Sequence, residues 1–231
     1  MASTINTNTY SLNAQRNLNK NSLGLASALE RLSSGLRVNS AKDDSAGLAI
    51  GMDMDKAARS ISASIRQSSD NISKAQVADG ALAVVGDIAQ RISELVSQRS
   101  NTNLTSTQQG YIDTEITSLV TAAGTVQTNA TFNGSASFTS ISVTSSNVAT
   151  ALSSIASLRA TQGATMNTEE FNIQSYQVNY ENTMAARSRI MDADFAEETS
   201  RLSRYQILQQ AGTAMVSQAN AIPQNVLSLL R

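Results

Sequence analysis

The stretch Ser203–Arg231 reads SRYQILQQAGTAMVSQANAIPQNVLSLLR. Its apolar residues Ala211, Met215, Ala219, Ile222, Val226 and Leu229 recur in steps of 4, 4, 3, 4 and 3, which is the period of one helix with an apolar stripe. Near its end Val226, Leu227, Leu229 and Leu230 spread over an arc of roughly 160°, wider than a single partner helix covers. The N-terminal segment makes the same demand. Leu25, Leu29, Leu32 and Leu36 form a 4, 3, 4 seam, while Leu23 stands about 160° around the helix from Leu25. Two ends that each need more than one neighbour predict assembly. The residues expected to carry it are Leu23, Leu25, Leu29 and Leu32 at one end, and Ile207, Leu208, Met215, Ile222, Val226, Leu227, Leu229 and Leu230 at the other.

The chain between these ends is predicted to be mainly α. Helical patterning runs from Thr4 to Ser33, rich in Asn and Ser, so this segment depends on packing more than on intrinsic propensity. It stops at Ser33-Ser34-Gly35, and an irregular link follows over Leu36–Asn39. A second helix is predicted from Ser40, with Ser40 as its N-cap and Asp43 as the capping partner, and with Asp43 and Asp44 complementing the positive end of the helix dipole. It continues without proline to about Ser100. The pairs Ile65 and Ile72, Ala75 and Leu82, Val85 and Ile92, and Ile88 and Leu95 are each seven apart, which keeps one seam facing a partner over several heptads. At about 1.5 Å per residue such a helix is a rod of roughly 90 Å.

A third helix begins near Thr105 or Ser106, each followed three residues on by Gln, the spacing of a capping box. It carries Ile112, Ile116, Leu119 and Val126 on its apolar face and turns back alongside the second. Residues 129–146 break the period. The Asn133-Gly134 pair is a strong hairpin signal, with Phe138, Ile141 and Val143 as apolar residues of the return strand. Helix resumes near Asn147, a candidate cap, with a bend expected around Gly163 and Met166–Thr168. It ends within Met184–Asp194, and a C-terminal helix follows that Pro223 should kink or deprive of one hydrogen bond.

Composition narrows the function. The 231 residues contain no Cys, no His and no Trp, one Pro and 4% aromatic residues, with a net charge of -1. Zinc sites built on Cys and His, triads with a His base and disulfide scaffolds are thereby closed off. Neither GxxxxGK[ST] nor GxGxxG occurs, and Lys and Arg are spread without a basic stripe, so neither nucleotide nor nucleic acid is the expected partner. Asp43 with Asp44, and Asp192 with Asp194, are read as caps and link contacts rather than as catalytic carboxylates. No catalytic residue, cofactor or metal is expected. The segment MASTINTNTYSLNAQRN lacks the basic and apolar regions of a Sec signal. The longest apolar run, Ala81–Val85, falls far short of the roughly 20 residues of a membrane span.

The two ends also carry a family resemblance. Residues 30–51, ERLSSGLRVNSAKDDSAGLAIG, resemble the N-terminal signature of bacterial flagellins, and residues 185–231, AARSRIMDADFAEETSRLSRYQILQQAGTAMVSQANAIPQNVLSLLR, resemble their C-terminal signature. The departure is in the middle, where flagellins usually insert variable β-rich domains and this chain returns to helix about a dozen residues after Gly134. The resemblance therefore implies a minimal flagellin. Residues 1–40 and 190–231 would form a terminal coiled coil with spokes at the inner filament core, and residues 41–189 a helical rod with one small β-hairpin near 129–146.

The function so implied is that of a structural subunit that self-assembles into the filament for motility. Export would use the flagellar type III route without a Sec signal, and the implied partners are an export chaperone, the hook-junction proteins and the cap protein. The alternatives are a hook-filament junction protein, against which the ending PQNVLSLLR argues, and a monomeric helical surface adhesin. Residues 30–51 also resemble an epitope seen by a plant receptor kinase. Gln90-Arg91-Ile92-Ser93-Glu94-Leu95 resembles the family's Gln-Arg-Val-Arg-Glu-Leu, with Ser93 in place of an Arg. With Glu115 on the facing helix, it implies an animal innate-receptor contact at Arg91, Leu95 and Glu115. The C-terminal leucines resemble the part detected by cytosolic inflammasome sensors.

Overall fold

The computed structural model describes residues 7–221 in full and the backbone alone of residues 222–229. The fold is mainly α, with helices α1 (Thr9–Ser34), α2 (Ser45–Arg99), α3 (Ser106–Asn129), α4 (Val148–Met191) and α5 (Phe195–Leu229). Strands β1 (Thr131–Phe132) and β2 (Ser135–Ala136) pair as one antiparallel hairpin between α3 and α4. The chain divides into two compact units, Met1–Ala58 with Asn182–Arg231, and Arg59–Glu181. The boundaries fall inside α2 and α4, whereas the sequence suggested them at the links.

In the Arg59–Glu181 unit, α2, α3 and α4 surround an apolar core. Leu82, Val85, Ala89, Ile92 and Leu95 of α2 meet Ile116 and Ala123 of α3 and Val148, Ala151 and Ile155 of α4, with Val143 closing one end. The α2 positions follow 3- and 4-residue steps, as the seven-residue pairs predicted. Ion pairs and hydrogen bonds fix the register. Asp79 accepts from Arg159 Nε at 2.8 Å and Glu169 accepts from Asn71 Nδ2 at 2.8 Å, so α4 runs antiparallel to α2. Hydrogen bonds from Ser68 first, then from Asn71 and Asn172, hold the Glu169 carboxyl below the ordinary glutamate value.

Local chemistry explains where the elements start and stop. Thr105 and Gln108 form the expected capping box at the start of α3. At the hairpin Asn133 (φ 50) and Gly134 (φ 77) both take positive φ, the geometry of a type I′ turn. The return strand is shorter than expected. Phe138, Ile141 and Val143 are not strand residues; they lie in an irregular segment and pack on the core. The buried Gln127 side chain accounts for this, because its Oε1 accepts from the Ile141 N–H at 2.6 Å and its Nε2 donates to the Ile141 carbonyl at 3.0 Å. The backbone groups that would extend a ladder already have partners. Asn147 precedes α4 as expected, but its side chain turns back, accepting from the Thr144 N–H at 2.8 Å. Helix α4 runs unbroken from Val148 to Met191 through Gly163.

Two other helix starts differ from expectation. The first helix was expected from Thr4; it begins at Thr9, where the Asn8 side chain accepts from the Ser11 N–H, and residues 1–6 lie outside the described part. Helix α2 begins at Ser45, not near Ser40. Asp43 Oδ2 accepts from the N–H and hydroxyl of Ser40, both at 3.0 Å, and this local ring closes a turn rather than a helix. The cap is Asp44, whose Oδ1 accepts from the Gly47 N–H at 2.9 Å. Two capping signals overlap in the sequence, and the first is spent on the turn.

Candidate assembly surface

Helices α1 and α5 form an antiparallel pair, and its contacts can be followed from end to end. Asn8 Nδ2 donates to the Ala219 carbonyl at 2.7 Å and the Ser11 hydroxyl donates to Asn220 Oδ1 at 2.7 Å. Leu18 lies over Gly212, and Gly24 lies under the Tyr205 ring, where a Cβ would stand 2.5 Å from the ring. Arg31 pairs with Glu198 at 3.3 Å. Gly35, in the left-handed conformation, ends α1, and beyond it the links pair as well. The Arg37 N–H donates to the Met191 carbonyl at 2.7 Å and the Ala193 N–H to the Gly35 carbonyl at 2.9 Å, a single antiparallel bridge at Leu36 and Asp192. Asp194 then caps α5 by accepting from the Ala196 N–H at 2.8 Å.

The inward seam of α1 runs through Ser11, Ala14, Leu18, Leu25, Ala28 and Leu32, all buried or half-buried. That of α5 runs through Glu198, Leu202, Tyr205, Gln209, Gly212, Val216 and Ala219 at 3- and 4-residue steps. Of the stripe residues Ala211, Met215 and Ala219, only Ala219 faces α1, and the other two lie outside the seam. The α5 seam is mixed, with Leu202, Val216 and Ala219 beside Glu198, Tyr205, Gln209 and Gly212. Leu29 likewise lies outside the α1 seam, where Ala28 takes the place expected of it.

Large apolar side chains remain exposed on both helices. Leu23 (73%), Leu29 (50%), Ile207 (66%), Leu208 (39%) and Met215 (63%) are accessible, while Leu25 and Leu32 are half-buried between the helices. The side chains of Ile222, Val226, Leu227 and Leu229, and residue Leu230, lie outside the described residues. On one flank of the pair a groove of about 400 Å³ opens between Tyr10, Asn13, Ala14, Asn17 and Asn21 of α1 and Leu208, Ala211, Gly212, Met215 and Gln218 of α5. Single exposed leucines are ordinary, but a helix pair flanked by large apolar side chains marks an interaction site.

The pair also encloses a charge cluster that periodicity did not reveal. Glu198, whose side chain is 6% exposed, receives Arg31 at 3.3 Å and Arg201 at 3.2 Å. The signal available was a Glu on the seam of α5 with Arg three residues later; its partner is 167 residues distant in sequence. On the other unit, Arg91 donates to Glu115 and Glu94, each at 3.1 Å, and all three are exposed. Glu115, then Glu94, holds the guanidinium charged, with its pKa above the ordinary value. Leu95 sits apart from them in the core, 2% exposed.

Among the described residues no cluster of His, Cys, Asp or Glu could hold a metal ion, and no helix is long and apolar enough to cross a membrane. Residues 5–143 match the bacterial flagellin N-terminal helical region, and residues 145–230 match the bacterial flagellin C-terminal helical region. The chain is 34% identical over 270 residues to a flagellin of Halalkalibacterium halodurans, covering 98% of this chain and 99% of the relative. It is 32% identical over 315 residues to a flagellin of Xenorhabdus nematophila, covering 100% of both chains. It is 31% identical over 284 residues to a flagellar filament 33 kDa core protein of Treponema phagedenis, covering 98% and 99%. These alignments exceed the 231 residues of this chain, so each relative carries residues without a counterpart here. Matched along both halves by the family's two helical regions, the chain is a member of the bacterial flagellin family.

Proposed function

We propose that the protein is a structural subunit of the extracellular flagellar filament, in minimal form, and that it polymerises through its paired terminal helices. The observation that carries this reading is the α1–α5 pair, whose seam leaves the large apolar side chains of Leu23, Ile207 and Met215 exposed. Burying such surface between copies stabilises by about 25 cal/mol per Å² of apolar area. A head-to-tail contact that does not close on itself produces a helical filament. In this reading residues 1–40 and 190–231 form the inner layer, with the bridged links as spokes, and residues 41–189 form the rod.

The same reading assigns the partners. An export chaperone holds the C-terminal segment, the type III flagellar route carries the chain out without a Sec signal, and the subunit adds beneath a cap protein onto hook-junction proteins. An innate-receptor contact would rest on the exposed Arg91 and Glu115, with Leu95 supporting them from the core. The test of the main proposal is electron microscopy of purified protein with and without ammonium sulfate, which strengthens apolar burial. Long filaments are expected. Persistent monomers, under conditions where another flagellin polymerises, would overturn the proposal.

A further inference from the structure

The terminal pair carries two faces that match each other, and a filament needs both on every copy. The first is the groove described above, whose lining runs from Tyr10 to Asn21 along α1 and from Leu208 to Ala219 along α5. The ends of each wall are eleven residues apart, or about 16 Å of helix. The second is a ridge on the back of α1. Leu12 (53% exposed) and Leu23 (73% exposed) are also eleven residues apart, which returns them to within about 20° of one face. That face points away from the α5 seam, because Leu18, which lies against Gly212, and the half-buried Leu25 stand about 120–160° around the helix from it.

From these features we infer that the Leu12–Leu23 ridge of one subunit seats in the α1–α5 groove of the next. The inference rests on the filament reading and deepens it. Two observations select a second copy of this chain as the occupant. Ridge and groove have the same length. The groove is lined by apolar residues and side-chain amides without a formal charge, so it offers nothing to a charged ligand but accepts leucines. Ridge and groove lie on different faces of the same pair, so the contact is heterologous and propagates instead of closing as a dimer.

Copies in a helical assembly share one polarity along its axis, so α1 of the incoming subunit runs parallel to α1 of the receiving one. Leu23 is then placed toward the Leu208 end of the groove and Leu12 toward Met215. The natural chain has no Cys, so disulfides report only introduced positions. Leu23→Cys and Leu208→Cys proteins are each assembled with wild-type protein, and also mixed with one another. All samples are then oxidised, pelleted and run on a non-reducing gel. The expected result is a disulfide dimer in the mixture and none with either variant alone; Leu12→Cys with Met215→Cys should behave in the same way. Filaments that pellet while the mixture gives no more dimer than the single variants would overturn the pairing and leave the filament reading standing. So would dimers that form only when Ile207→Cys, on the back of α5, replaces Leu23→Cys. Wild-type protein that never pellets would instead defeat the filament reading itself.

Discussion

At the scale of single residues, three positions decide how the ends and the rod hold together. Glu198 is nearly buried between Arg31 and Arg201, so Glu198→Ala removes charge-assisted bonds and leaves the half-buried Arg31 without its carboxylate partner. The expected loss is about 1.5–3 kcal/mol, measured by chemical denaturation. Gly24 is held to glycine by the Tyr205 ring. Gly24→Ala, which ordinarily favours a helix by up to about 1 kcal/mol, should here destabilise α1, and should stabilise it again when Tyr205→Ala is added. Hydrogen exchange along α1 checks both signs. Glu169 has a folded pKa below the unfolded one, so its contribution is present at neutral pH. That contribution is lost as the pH falls below about 4.3, the ordinary glutamate value, and through the lower folded value. Glu169→Gln should therefore flatten the acid limb of the stability profile.

At the scale of elements, Gln127 ties the end of α3 to the return segment. Gln127→Ala leaves the Ile141 N–H and C=O without their partners, so the segment 137–147 should exchange its amides faster while α3 stays protected. Such a tie was invisible in the sequence, because Gln127 and Ile141 are joined by folding rather than by spacing. What was readable were features written locally. Thr105 with Gln108 announced the start of α3, Asn133-Gly134 announced the turn, and the seven-residue pairs of α2 announced its buried face. Where two local signals competed, as at Ser40 and Asp44, the sequence did not reveal which would cap. Which face of α5 meets α1 was likewise not written in its periodicity. Hydrophobicity marks the face that some partner buries, but it does not identify the partner. On α5 the inner face went to Tyr205, Gly212 and Glu198, and the leucine- and methionine-bearing face stayed outside.

For the whole molecule, that outward face is the consequence that matters. The Arg59–Glu181 unit has its own apolar core, whereas among the described residues of α1 and α5 only Ser11, Ala28, Glu198 and Ala219 are buried. A pair of this kind gains its remaining stability from neighbours, so folding of the ends and polymerisation should be coupled. The central claim is tested most directly by the critical concentration for sedimentation in ammonium sulfate, compared between wild type and the double variant Leu23→Asp/Met215→Asp. Both positions are exposed, so circular dichroism of the monomer should be unchanged. The account predicts that wild type pellets as filaments while the variant stays in the supernatant at the same concentration. A variant that pellets at the wild-type critical concentration would contradict it.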